Sequence, residues 1–216
     1  MDAITDNLGL FGSGFLRSLG IALWGLAGSL TLGLVLAAMR VSPVPPLRTF
    51  AGNYVTVLRN TPLTIVLFFM AFGLPELGVN SSYYVLAVSG LVLYSAAFVC
   101  EAVRSGINAV PAGQAEAARS LGLTFRQGLT LVILPQALRS VVPPLGAVLI
   151  SMFKNSAVVG AFGVGRDLFS VSATLTSAQG YPNLPVLLGV TVGYLAITLP
   201  SGLFLHAVER KVAIVR

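Results

Sequence analysis

Glu116-Ala117-Ala118-Arg119-Ser120-Leu121-Gly122, closed by Val132-Ile133-Leu134-Pro135, is the stretch on which the reading of this chain turns. It is a polar, small-residue segment between two long apolar ones. Pro111 suits a first helical position, where a missing N–H is not needed. Gly122 offers the left-handed residue with which helices commonly end. Thr124-Phe125-Arg126-Gln127 has the spacing of a capping box, so a second short helix is expected to begin there. The segment reads as two short helices around a glycine. Alanines at 115, 117 and 118 would allow a partner to approach closely. An amphipathic helix lying in the membrane interface is the other reading of the same residues.

The flanks of that segment set the class. Of 216 residues, 56% are apolar and only 9% are charged, against about 25% charged in a soluble domain. Apolar stretches of roughly 20 residues recur, each long enough to cross about 30 Å of hydrocarbon as a helix. The expected fold is therefore an all-α polytopic membrane protein with about five transmembrane helices. The expected spans run roughly over 15–39, 47–73, 83–107, 129–153 and 186–208. Arg59-Asn60-Thr61-Pro62 interrupts the second, and Pro62 should kink it. Gly160, Gly163 and Gly165 are expected to break the chain after the fourth.

Charge placement gives an orientation. In a five-span arrangement Arg40, Arg48, Arg104, Arg119, Arg126, Arg139, Arg210, Lys211 and Arg216 fall on one side. The positive-inside rule makes that side cytoplasmic, with the N-terminus outside and the C-terminus inside. The 116–122 segment then also faces the cytoplasm. Residues 1–14 lack the basic n-region of a secretory signal and carry Asp2 and Asp6, so the first apolar segment is expected to remain as a membrane helix. The net charge of +6 is read as loop placement rather than as nucleic-acid binding.

Enzymatic chemistry finds no footing. Lys154 and Lys211 are the two lysines, and neither stands in the Gly-Lys-Ser/Thr arrangement that cradles phosphates. The single His206 and single Cys100 supply no triad, disulfide or metal cluster. Polar groups at membrane depth are the more informative set, because they are costly and usually face a cavity or one another. Glu101 and Arg104 are three apart on one helix face and can pair; alternatively, Glu101 faces a pathway and holds a substrate ammonium. Lys154-Asn155-Ser156 would sit where the fourth helix breaks, beside a cavity, although Lys154 can also snorkel to the interface. Arg59 and Thr61 form a third candidate element, with a simple proline kink as the competing explanation. Gly189 and Gly193 read as a packing seam within the subunit.

The spacing Glu-Ala-Ala, three residues, Gly, nine residues, then an aliphatic residue, one more and Leu-Pro resembles the EAA loop of ATP-binding-cassette (ABC) importer permeases. Val132 stands where that family usually has isoleucine. Arg59-Asn60-Thr61-Pro62-Leu63-Thr64, Ala102-Val103-Arg104-Ser105-Gly106-Ile107 and Lys154-Asn155-Ser156 extend the likeness from Phe15 to the end. The set resembles the polar amino acid subfamily, histidine permease-like, and most of all the permeases of actinobacterial glutamate uptake. That resemblance implies a type I importer permease fold, one domain over 1–216 with a cytoplasmic coupling loop at about 108–127, in a bacterial cell membrane. It implies ATPase coupling through Glu116, Ala117, Ala118, Gly122, Leu134 and Pro135. The substrate pathway would use Glu101, Asn155, Ser156, Lys154, Arg104, Arg59 and Thr61. ATP and magnesium would be held by a partner homodimer of ATPases, with no cofactor in this chain. A second, related permease chain and an extracellular substrate-binding protein would complete the system. The cations Arg59, Arg104 and Lys154 outnumber Glu101 and lean towards an acidic substrate, glutamate or aspartate. An ion-coupled secondary transporter or channel is the alternative, and a non-transporting scaffold ranks last.

Overall fold

The structure, a computed structural model, describes residues 2–160, 162 and 166–212, and all of its regular elements are helices. After a short turn at Asp2–Thr5, helix α1 covers Leu8–Val41, α2 Pro45–Asn60 and α3 Leu63–Glu76. Helix α4 covers Tyr83–Asn108, α5 Ala112–Ser120, α6 Phe125–Gly160, α7 Leu168–Ala178 and α8 Asn183–Val212. Four of these, α1, α4, α6 and α8, are long and apolar enough to cross a membrane; α2 and α3 are bent by 103° at Thr61-Pro62.

The glycines of α1 decide how many times the chain crosses. Neighbours along the α1–α4 seam advance together: Gly20 meets Tyr84, Gly25 meets Leu91, Gly28 meets Val92 and Gly33 meets Val99. Helices α1 and α4 therefore run parallel, and the chain must return across the layer between residues 41 and 83. The bent α2–α3 pair makes that return and counts as the fifth crossing. Contact is close because the seam lacks side chains: a Cβ on Gly33 would stand 2.5 Å from Val99 Cβ. Helix α6 is antiparallel to α4, with Gly106 against Val141 near one end and Leu91 near Met152 towards the other. Helix α8 returns against α6, bringing Glu209 to Gly146. The ends of α1, α4 and α8 thus share one face with the start of α6 and with α5.

Two prolines, Pro75 and Pro135, have wide, π-type turns just before them. A proline ring clashes with the carbonyl four residues earlier and offers no N–H to it. For Pro75 that carbonyl belongs to Ala71, inside the wide turn Phe69–Gly73; for Pro135 it belongs to Leu131, inside Gly128–Ile133. The second short helix expected at Thr124 is consequently no separate element. It continues through the wide turn as the opening of α6.

A second departure concerns the fourth span. Helix α6 does not end at Phe153; it runs to Gly160 despite Pro143 and Pro144 within it, so Lys154-Asn155-Ser156 is helical rather than broken backbone. Gly163 and Gly165 lie outside the described residues. Beyond them Asp167, fully buried, caps α7 by accepting the Phe169 and Ser170 N–H groups, each at 3.2 Å. The Leu168 N–H donates to Ser18 Oγ of α1 at 3.1 Å. Gly189 packs on the Phe11 ring and Gly193 on Leu168, which makes that small-residue seam an internal contact, as expected.

Candidate functional site

Two regions deserve description as sites, and the first is the polar knob at 108–127. Helix α5 ends at Gly122, whose φ of +77° lies in the left-handed region. The Leu121 N–H donates to Ala117 O at 3.1 Å and the Leu123 N–H to Ala118 O at 3.1 Å, closing the helix end. At Thr124 both halves of a capping box form: Thr124 Oγ1 accepts from the Gln127 N–H at 3.3 Å, and Gln127 Oε1 accepts from the Thr124 N–H at 2.9 Å. Ala118 is buried against Gly128, where a side chain larger than methyl would part α5 from α6. Gln136 Nε2 donates to Gln114 Oε1 at 3.3 Å across the same junction. Glu116, Ala117, Leu134 and Pro135 are exposed, as are Leu121 at 80% and Phe125 at 84%. Large apolar side chains displayed on a polar, well-capped loop are unusual on a solvated surface and suit a protein partner.

The second region is the polar group inside the helices. Glu101, half-buried on α4, is met by three guanidinium groups. Arg104 donates to its Oε1 through Nε at 3.0 Å and also through Nη2. Arg40, from the last turn of α1, brings Nη1 to 3.6 Å from Oε2, and Arg59, from the last turn of α2, comes to 3.8 Å. Glu101 and Arg104 therefore do pair, but inside a larger cluster of one acid and three bases. The packing of α1, α2 and α4 assembles it, with Ala51, Val55, Ala96, Ala97 and Cys100 forming the apolar floor. Arg40, read from sequence only as a loop cation, is the residue that sequence reasoning missed. Its signal was its place in the last turn of a long apolar helix whose other charged residue, Arg17, lies more than twenty positions earlier. Thr61 stands at the α2–α3 break and donates to Val57 O at 2.8 Å, a local cap rather than a contact to the cluster.

Two cavities adjoin this group and share the Phe98 ring. One, of about 340 Å³, is lined by Arg40, Thr56, Arg59, Asn60, Phe98 and Glu101 among others. The other, of about 400 Å³, lies between α4 and α6 and takes Asn155, Tyr94, Ser95, Ser151 and Met152. The Lys154-Asn155-Ser156 trio is thereby split three ways by helical geometry. Asn155 lines the cavity, Lys154 is exposed, and Ser156 is buried with its hydroxyl donating to Phe153 O at 2.7 Å. Consecutive helical residues point about 100° apart, so the three cannot face one ligand together. His206 is exposed near the end of α8, its Nε2 accepting from Arg210 Nε at 3.1 Å and its Nδ1 3.6 Å from Glu209 Oε2.

With this geometry in place, the family match is decisive: residues 29–214 match the family of binding-protein-dependent transport system inner membrane components. The chain belongs to that family. It is 41% identical over 208 residues to the glutamate transport system permease protein GluC of Corynebacterium efficiens, covering 90% of each chain. It is 36% identical to the probable glutamine ABC transporter permease protein GlnM of Bacillus subtilis, covering 95% of this chain and 94% of the other. Among solved structures, an amino acid ABC transporter crystallised with histidines matches with a TM-score of 0.89 at 34% identity, over 96% of both chains. The methionine transporter MetNI, seen in an inward-facing conformation, shares the fold with a TM-score of 0.71 at 23% identity. The protein is thus an ABC importer permease of the polar amino acid uptake family, a multi-pass protein of the bacterial plasma membrane. It is not itself an enzyme, and membership implies a separate ATPase and a binding protein as partners.

Proposed function

We propose that this permease forms the path for an acidic amino acid, glutamate or aspartate, and is driven by a partner homodimer of ATPases that grips the 108–127 loop. The observation that carries the substrate reading is the excess of cationic groups where α1, α2 and α4 converge: three guanidiniums face the single carboxylate of Glu101. An anionic substrate meets attraction there, and a cationic one meets repulsion. The glutamate permease named above is a supporting relative, and the glutamine permease of similar identity marks the competing substrate.

In this reading Glu116, Ala117, Ala118 and Gly122 present the knob to the ATPase, and Leu134-Pro135 joins it to α6. ATP and magnesium sit on the ATPase, and this chain needs no cofactor of its own. Arg40, Arg48, Arg119, Arg126 and Arg210 all lie towards the face that carries the knob, which supports placing that face in the cytoplasm. The chain then acts as one domain whose core and knob move together. A second, related permease encloses the path, because the Asn155 and Glu101 cavities are open rather than enclosed in this chain. Substrate would pass Asn155, Ser95 and Tyr94 before Glu101, Arg104 and Arg59, with Thr61 and Ser156 shaping the helices around it.

The test is ATP hydrolysis by the reconstituted complex, with its binding protein, across a panel of single amino acids. Stimulation by glutamate or aspartate supports the reading. Stimulation by glutamine, arginine or histidine instead keeps the importer and discards the acidic substrate.

A further inference from the structure

We infer that Arg40 and Arg59 together hold the side-chain carboxylate of the substrate in the cavity beside Glu101, so that these two residues select charge within the permease. The inference rests on the acidic-substrate reading above and adds the residues that would enforce it.

Hydrogen bonding around Glu101 is lopsided. Arg104 satisfies Oε1 through two donors, whereas among the described residues Oε2 accepts no hydrogen bond and has only the longer approaches of Arg40 at 3.6 Å and Arg59 at 3.8 Å. Arg40 Nη1 is itself buried and has no hydrogen-bond partner among the described residues. Arg104 alone neutralises Glu101, so the other two guanidiniums are a net cationic pair. They are held by packing: α1 delivers one and α2 the other, and the Arg59 guanidinium lies 5.8 Å from the Phe98 ring centre. A guanidinium presents its donors as a rigid fork matched to a carboxylate. Two such forks, from different helices, open on the cavity of about 340 Å³ that Thr56 and Asn60 also line. That volume lies at the low end of small-molecule pockets, about 300–1,000 Å³, and suits an amino acid side chain. A carboxylate arriving there meets the side chains of Arg40 and Arg59 that line the cavity and shares the excess positive charge that Glu101 leaves uncompensated. A carboxamide of the same shape supplies one acceptor and no charge.

The experiment compares initial uptake of radiolabelled glutamate and glutamine by liposomes holding the complete transporter, with the binding protein unchanged throughout. Arg40→Gln and Arg59→Gln are each expected to lower the glutamate-to-glutamine ratio by about tenfold or more, as loss of one partner of a close charge pair does. The fall should be larger for glutamate than for glutamine, and Arg40→Lys should keep part of the preference. Equal losses for both substrates would overturn the inference and leave the arginines as structural partners of Glu101 or of a neighbouring subunit. A second readout needs no variant: saturating glutamate, but not glutamine, should slow modification of Arg40 and Arg59 by phenylglyoxal, followed by peptide mass spectrometry. Equal modification rates with either amino acid would count against it. A wild-type transporter that prefers glutamine would instead sink the underlying substrate reading before any variant is made.

Discussion

The same chemical change at two glycines of the knob should have opposite effects. Among the described residues, no heavy atom beyond the local backbone and chain neighbours lies within 4 Å of where a Cβ would stand on Gly113 or Gly122, so alanine meets no steric obstacle at either. What differs is the backbone. Gly122 has φ +77°, a region that costs an L-residue about 1–2 kcal/mol. Part of that is offset by the stiffer unfolded chain, worth about 0.4–1 kcal/mol. The net cost of Gly122→Ala is therefore about 1 kcal/mol. Gly113 lies within α5 at ordinary helical angles, and there Gly113→Ala stabilises by up to about 1 kcal/mol. The two variants should differ by about 2 kcal/mol, a factor of about 30 in local opening. Residue-resolved hydrogen exchange on the purified permease reads this at the Leu121 and Leu123 amides, which close the end of α5. Gly122→Ala should speed their exchange and Gly113→Ala should slow it. If both variants shift protection in the same direction, or Gly122→Ala leaves it unchanged, the left-handed stop is not what holds the knob. In the assembled transporter Gly122→Val, with a β-branched side chain at the same angle, and Glu116→Lys, on the exposed face, are expected to cut ATP-driven uptake. Full uptake by both would remove the coupling role.

Three further outcomes follow from the packing. Gly106→Ala would place a Cβ 2.6 Å from Val141 Cα and 2.7 Å from its N. Backbone cannot step aside, so α4 and α6 must separate at a cost of about 1–3 kcal/mol, read as a melting point lowered by several degrees in detergent. Thr124→Ala removes the capping hydroxyl and should cost about 1 kcal/mol, with protection lost at the start of α6 and recovered in Thr124→Ser. Glu101→Gln leaves three guanidiniums without their counter-charge. Because Arg59 is 44% exposed and partly screened, the loss should be about 1–3 kcal/mol in thermal unfolding, and the double variant with Arg40→Gln should recover part of it. A more stable Glu101→Gln would show that the cluster does not hold these helices together.

Local chemistry was legible in the sequence, and tertiary convergence was not. The Thr124 capping box and the Gly122 stop depend on residues within a few positions of each other, and both stand as the spacing predicted. Pro62 announced a break, because its ring and missing N–H act on the backbone directly; the sequence did not carry the size of the bend. The end of α6 was misread at Phe153. Glycines at 160, 163 and 165 suggested irregular backbone, but nothing between Phe153 and Gly160 opposes a helix, and Val158 and Val159 pack into the core. The expected span over 129–153 ran through two prolines, and the helix does too. Pro143 and Pro144 sit inside α6, held by neighbours that a soluble helix would lack. Arg40, Arg59 and Arg104 are separated by up to 64 positions, and only the parallel α1–α4 seam and the fold-back of α2 bring them to one carboxylate. In a membrane both the lipid face and the packed face are apolar, so periodicity does not say which way a helix turns.

The measurement that bears most directly on the account is radiolabelled glutamate uptake into liposomes holding the complete transporter. Ion gradients are collapsed by ionophore, and ATP is supplied on the side of the knob. The account predicts uptake that requires both ATP and the binding protein and that stops when either is withheld. Uptake by this chain alone, driven by a proton or sodium gradient without ATP, would contradict it.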